Sequence, residues 1–314
     1  MKQKALTIGG AILVFLLALG ITLYPLISNY YNEKHQSEIH THYEEIVQQA
    51  DNSELIRAKE LADEYNAAIM PGTQLSEAFS QEALLWASED YRHQLNIAGD
   101  GIMCYVQIPL IQVNLPVYHG TDSDTLEVGI GHLLGSSLPV GGTGTHSVLT
   151  AHSGMANQKM FSDLDKLELG DVFYLKVLGE TLAYQVDQIK TVLPHDTTYL
   201  RILEGEDLCT LVTCTPFGVN THRLLVRGKR IPYEEAELIV EEQLQVEELP
   251  KSTWEEQYIK GILFGIGAVI LIAALYAYYL YWRRHRKPRK TRKSIAEKKA
   301  YKIRFRKKGK YEAD

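Results

Sequence analysis

Two long apolar stretches bracket everything else in this chain and fix where the rest can fold. The first runs from Ala5 to about Ile27, behind Lys2 and Lys4; the second runs from Ile259 to Trp282, with Lys260 near its start. A helix of about 20 residues crosses a hydrocarbon layer of about 30 Å, so each stretch is long enough to span. The first has a longer apolar core than a secretory signal and no clear small-x-small cleavage site before Tyr24-Pro25, and it reads as an uncleaved anchor. Charge then sets the direction. Residues 283–314 hold 16 Lys and Arg against 3 Asp and Glu, whereas the whole chain is net −6. Basic clusters stay on the cytoplasmic side. Both termini are expected inside the cell membrane and residues 28–257 outside. A basic tail directly after a span is explained by topology and anionic lipid, and a nucleic-acid partner is not expected.

Between the spans the pattern changes twice. Residues 29–66 are polar, with apolar positions at Ile46, Leu55, Ile56, Ala58 and Leu61 that predict amphipathic helix. Asp51-Asn52-Ser53 would cap its second half. Pro71-Gly72 is a break, Leu75–Tyr91 could be helical, and Gly99-Asp100-Gly101 is a turn. From residue 101 the chain reads as β. The expected strands are Ile102–Ile108, Ile111–Val117, Ser147–Ala151, Val172–Val177, Thr181–Val192, Leu208–Cys214 and Arg223–Ile231, separated by Gly, Pro, Asn or Asp turns. Leu178-Gly179-Glu180 reads as a hairpin turn. Short helical pieces fit Asp122–Ile130 and Phe161–Leu167. Seven or eight short strands of this kind predict a closed barrel or a sandwich.

Three cysteines, Cys104, Cys209 and Cys214, make no disulfide framework, and an odd number leaves at least one thiol free. There is no CxxC and no His/Cys cluster with zinc spacing, so no metal site is expected. Cys209 and Cys214 are five apart on one strand and should face opposite sides. Cys209 then reads as a small buried apolar residue; a Cys104–Cys209 bridge is left open. Cys214 ends the run Thr210-Leu211-Val212-Thr213-Cys214-Thr215-Pro216, where a strand presents its side chain to a cleft. A thiolate nucleophile needs a neighbouring positive charge or proton partner. His152, at the end of Ser147–His152, could exchange the proton, and Arg223 could hold an oxyanion with its fixed charge. From spacing alone a buried structural cysteine is the simpler reading. The histidines are also ambiguous, because His119, His132, His146, His195 and His222 share the β region with His152.

The run of motifs in one order decides between these readings. The chain resembles the sortases, and within them the pilus-assembling class C, over roughly residues 99–233. The resemblance is carried by Leu115-Pro116-Val117-Tyr118-His119-Gly120-Thr121, by Gly131-His132-Leu133-Leu134-Gly135-Ser136-Ser137-Leu138-Pro139, by Thr145–His152, by Phe161–Leu167, by Thr210–Pro216 and by Asn220–Gly228. It implies an eight-stranded β-barrel with short helices, no cofactor, and a catalytic set of His152 in its TxH context, Cys214 in TLxTC and Arg223 in His-Arg-Leu-Leu. Arg227 is expected to be a structural or surface residue, His222 to face away from Arg223, and Asn220 to form the turn. The implied reaction is cleavage of an LPxTG-like sorting signal on a pilin through a Cys214 thioester, then transfer to a lysine of another pilin. A sortase-like hydrolase and a housekeeping-type protein-to-cell-wall transpeptidase are the alternatives.

The implied organisation is an anchor at 1–28, a helical and candidate lid region at 29–98, the barrel at 99–233, an acidic linker helix at 234–257, a second span at 258–282 and a basic cytoplasmic tail at 283–314. Two departures stand out. Class C lids usually carry an Asp-Pro-aromatic anchor, and no Asp-Pro-Phe or Asp-Pro-Trp occurs here; Phe79, Trp86 and Tyr91 are the aromatics available in that region, unless they are simply the apolar stripe of a packed helix. Leu249-Pro250-Lys251-Ser252-Thr253, ahead of the second span, faintly mimics a sorting signal but lacks the Thr-Gly order.

Overall fold

Runs of Val, Ile, Leu and Tyr between glycine turns do what their alternation predicts: they pair into a sheet that closes on itself. A computed structural model describes residues 2–69, 75, 89–155, 157–246, 250, 252–285, 299, 300 and 302. Eight strands follow in chain order: β1 (Ile102–Ile108), β2 (Val113–His119), β3 (Ile130–His132), β4 (Thr145–Thr150), β5 (Val172–Val177), β6 (Glu180–Val192), β7 (Asp207–Thr215) and β8 (His222–Ile231). They form a closed barrel in the order β1-β2-β3-β4-β7-β8-β6-β5. The β2–β3 and β4–β7 pairs are parallel and the rest antiparallel. Closure leaves no free sheet edge. The core fills the interior with Val106, Ile108, Val117, Phe161, Phe173, Leu175, Leu211 and Val226. Gly228 permits one tight layer, since a Cβ there would lie 2.5 Å from Phe173 Cε1.

Differences from the sequence reading have local causes. The second strand starts at Val113 rather than Ile111, because Pro109–Ile111 form a 3-10 turn that Gln112 ends with φ 52°. The helical piece expected to reach Ile130 stops at Val128, and Ile130–His132 form β3, a three-residue strand too short to leave a period. Phe161–Leu167 holds only a 3-10 turn over Leu164–Lys166. The hairpin turn is as read, with Leu178 and Gly179 both at positive φ. No disulfide joins Cys104 to Cys209: both are free and fully buried, and burial pushes both thiols up.

Helices lie before and after the barrel. The α1 helix (Lys2–Gln49) runs on from the first apolar stretch and buries Tyr43 and Val47 against Ile102 and Tyr105. The α2 helix (Asn52–Ala68) begins at Asp51, whose side chain accepts from Ser53 N. Asn66 on α2 bonds both the N–H and the carbonyl of Leu138. The short α3 (Glu89–His93) places Tyr91 in the core, where its hydroxyl meets His132 Nδ1 at 2.9 Å. Tyr91 is therefore packing, the apolar-stripe reading; Phe79 and Trp86 lie outside the described residues. The α4 helix (Ser123–Val128) precedes β3, and α5 (Tyr233–Val246) follows β8.

The chain divides into two units, Met1–Tyr258 and Ile259–Asp314. The α6 helix (Thr253–His285) supplies most of the described part of the second. Among the described residues it is the one helix long and apolar enough to cross a membrane. Its 33 residues extend about 50 Å.

Candidate active site

Strand register builds the site. In the β7–β8 ladder Cys214 is directly opposite Arg223. Directly opposed residues present their side chains on one face about 5 Å apart at Cβ. The β4–β7 ladder is parallel and pairs Thr150 with Val212. Beyond the end of β4, Ala151 N donates to Val212 O at 3.1 Å, and Thr213 Oγ1 donates to Ala151 O at 2.7 Å. Ala151 thus still bonds β7, and His152 follows it at the end of the barrel where Cys214 lies. Three strands thus deliver the three predicted groups to one end of the barrel.

The loops leaving those strands also meet. Gly154 has φ +79°, and a Cβ on it would lie 3.2 Å from the Gly218 amide nitrogen. The loop after His152 and the loop after Cys214 are in contact there, and a side chain at 154 would separate them. Arg223 Nη1 donates to Asn220 O at 3.3 Å and to His222 O at 3.2 Å, which ties the guanidinium to the turn. Asn220 itself has φ 63°, the turn role read from the sequence.

Burial separates the reactive groups from the structural ones. Cys214 is 9 % exposed and lies outside the main core cluster, whereas Cys209 is fully buried within it. His152 is half-buried, and burial lowers its pKa below the ordinary 6.5; the carboxylate of Glu127 partly offsets this. The imidazole is accordingly mostly neutral at pH 7. Glu127→Gln should remove the offset and move the His152 titration to lower pH, read by NMR of the imidazole carbons. An upward shift would show that Glu127 is not the charge it feels.

His119, His132 and His146 are occupied in the framework. His132 Nε2 meets Ser137 O at 2.9 Å, and His146 bonds Arg201 O and Thr210 Oγ1 at 2.8 and 2.7 Å. His119 faces the carbonyls of Gln94 and Gly101. His222 meets the hydroxyl of Thr221, and His195 is exposed. Arg227 makes a two-point ion pair with Asp187, the extra residue at a bulge in β6. Sequence reasoning missed Glu127, Gly154 and the 152–163 loop, because each acts through contacts distant in the chain. Among the described residues no cluster of His, Cys, Asp and Glu could hold a metal.

The sortase family model matches residues 106–231. Sortase D of Bacillus subtilis is 31 % identical over 129 residues, 40 % of this chain and 62 % of that protein. The chain spans about three fifths of the length of the curated relatives it matches. The crystal structure of sortase C from Streptococcus pneumoniae is 46 % identical, covers 62 % of this chain and 97 % of its own, and superposes with a TM-score of 0.59. Sortase C-1 from Actinomyces oris is 45 % identical, covers 57 % of this chain and 99 % of its own, with a TM-score of 0.54. Matched across nearly the full length of those solved domains, the chain belongs to the sortase family of cysteine transpeptidases, on its class C branch.

Proposed function

We propose that the chain joins pilin subunits, with Cys214 as nucleophile, His152 as proton-transfer residue and Arg223 as oxyanion donor. The Cys214 thiol passes its proton to the His152 imidazole, the resulting thiolate attacks the threonine carbonyl of an LPxTG-like signal, and the oxygen takes the negative charge beside Arg223. Collapse breaks the Thr–Gly bond. The glycine amine leaves with a proton from the His152 imidazolium, and a thioester remains. A lysine ε-amine of a second pilin then attacks the thioester and gives its proton to His152. The isopeptide bond forms and the thiolate departs.

The observation that carries this reading is the placement of Cys214 opposite Arg223, with His152 two residues past the end of β4, the strand that pairs with β7. Pilin as substrate class is supported by the S. pneumoniae relative, whose structure bears on pilin substrate specificity. The reading also takes the apolar part of α1 and the helix α6 as two spans. It places both termini in the cytoplasm, the barrel outside and the basic tail against anionic lipid. Two spans would hold the barrel where membrane-tethered precursors sit, raising their effective concentration.

The test is product analysis with an LPxTG peptide, with and without a lysine-side-chain amine. Aminolysis product should dominate when the amine is present. Free acid as the sole product in both cases would make the chain a hydrolase.

A further inference from the structure

The loop from His152 to Asp163 is gripped by Ser252, Thr253 and Trp254, the residues that open α6. Within the loop, Phe161 N donates to His152 O at 3.0 Å, and Gly154 N donates to Ser162 Oγ at 3.0 Å. These bonds staple residues 152–154 to the far end of the same loop. The α6 head holds it at two further points. Trp254 Nε1 donates to Met155 O at 2.8 Å, one residue past the Gly154 staple. Asp163 Oδ1 accepts from Thr253 N at 2.7 Å and from Ser252 Oγ at 3.2 Å. The Asp163 carboxylate is 2 % exposed, and Lys159 Nζ pairs with its other oxygen at 2.9 Å.

These contacts exceed what an anchor needs. A tryptophan at the start of a span ordinarily sits among lipid headgroups. Trp254 is instead 5 % exposed within the protein. Ser252 and Thr253, the end of the sorting-signal mimic, are buried caps on Asp163. A carboxylate at a helix N-terminus also meets the positive end of the helix dipole. All of this acts on the segment that places His152.

We propose that Trp254 is a positioning residue: through Met155 and the stapled loop, the head of α6 sets the His152 imidazole against Cys214. The inference rests on His152 being the proton-transfer residue proposed above. The residues that open α6 are then part of the catalytic scaffold.

The test uses the full chain in lipid nanodiscs, with Trp254→Phe, which keeps an aromatic ring and removes the N–H. With active enzyme counted by Cys214 alkylation, kcat for aminolysis of an LPxTG peptide should fall about tenfold, since small misplacements of reacting groups are costly. KM should stay within about twofold, and the His152 imidazole resonances should shift. Ser252→Ala, which removes one hydroxyl and little volume, should give the same split at about threefold, and it serves if Trp254→Phe does not accumulate. A lowered melting point with unchanged kcat and unmoved His152 resonances would reduce Trp254 to an anchor and overturn the inference. His152→Ala runs alongside. If it is inactive while Trp254→Phe turns over normally, only the inference falls; if it is fully active, the proposed role of His152 falls first.

Discussion

Cys214→Ala should cut acyl-enzyme formation on an LPxTG peptide by at least about 10⁴-fold, the scale of losing a nucleophile from a concerted catalytic set. Alanine cannot form the thioester, and neither remaining thiol can take over. Cys104 and Cys209 are fully buried, with burial holding both thiols protonated. Sulfur at 214 sits near a strand end and outside the main core cluster, and alanine removes that one atom only, so its loss should cost little stability. Mass spectrometry of the intact protein reads the outcome directly, as native chain gains the peptide acyl group and the variant does not. Arg223→Lys serves as the graded companion. A lysine keeps the charge but loses the fork of donors, and a loss of about 10²-fold is expected if the guanidinium stabilises the oxyanion. A variant lacking sulfur at 214 that still joined peptide to amine would end the assignment.

Much of this arrangement was legible in the sequence, and the reasons differ by residue. Cys214 and Arg223 are nine apart around one turn, so antiparallel pairing makes them neighbours whenever both flanking runs are strands. His152 is different. Its position depends on a parallel pairing between β4 and β7, strands 62 residues apart in register. Local spacing says nothing of such a partner: it made His152 a candidate among several histidines, and the resemblance singled it out. Strand β3 escaped because Ile130-Gly131-His132 is too short for alternation and follows a helix directly. The Cys104–Cys209 bridge, which the sequence left open, is not formed, and both thiols are free. Trp254 and Asp163 were invisible for the reason that hid β3: they are joined by contacts 90 residues or more apart, which no period encodes.

Acid should unfold the barrel well before its carboxylates are all protonated, because two framework histidines are buried in the neutral form. Burial lowers His132 to about 4, with His119 nearby adding a smaller push, and lowers His146 to about 4. Their partners explain the neutral state. Ser137 O takes the proton of His132 Nε2, leaving Nδ1 to accept from the Tyr91 hydroxyl, which in turn accepts from Gly120 N. His146 can donate to Arg201 O and accept from Thr210 Oγ1. The unfolded chain binds a proton at each site near pH 6.5, whereas the folded chain resists until about pH 4. Between those values the unfolded state holds more protons, so stability falls as pH falls, by about 3 kcal/mol per histidine across the window. Two such losses approach the whole stability of a domain, about 5–15 kcal/mol. Urea midpoints at pH 7, 5.5 and 4.5 should therefore drop steeply. His132→Gln, which can still donate to Ser137 O, should cost stability at pH 7 but remove about half of the pH slope. A native midpoint that stayed level down to pH 4.5 would mean that these imidazoles can charge in place, and that the Tyr91–His132–Ser137 chain does not lock the region before β1 onto the barrel.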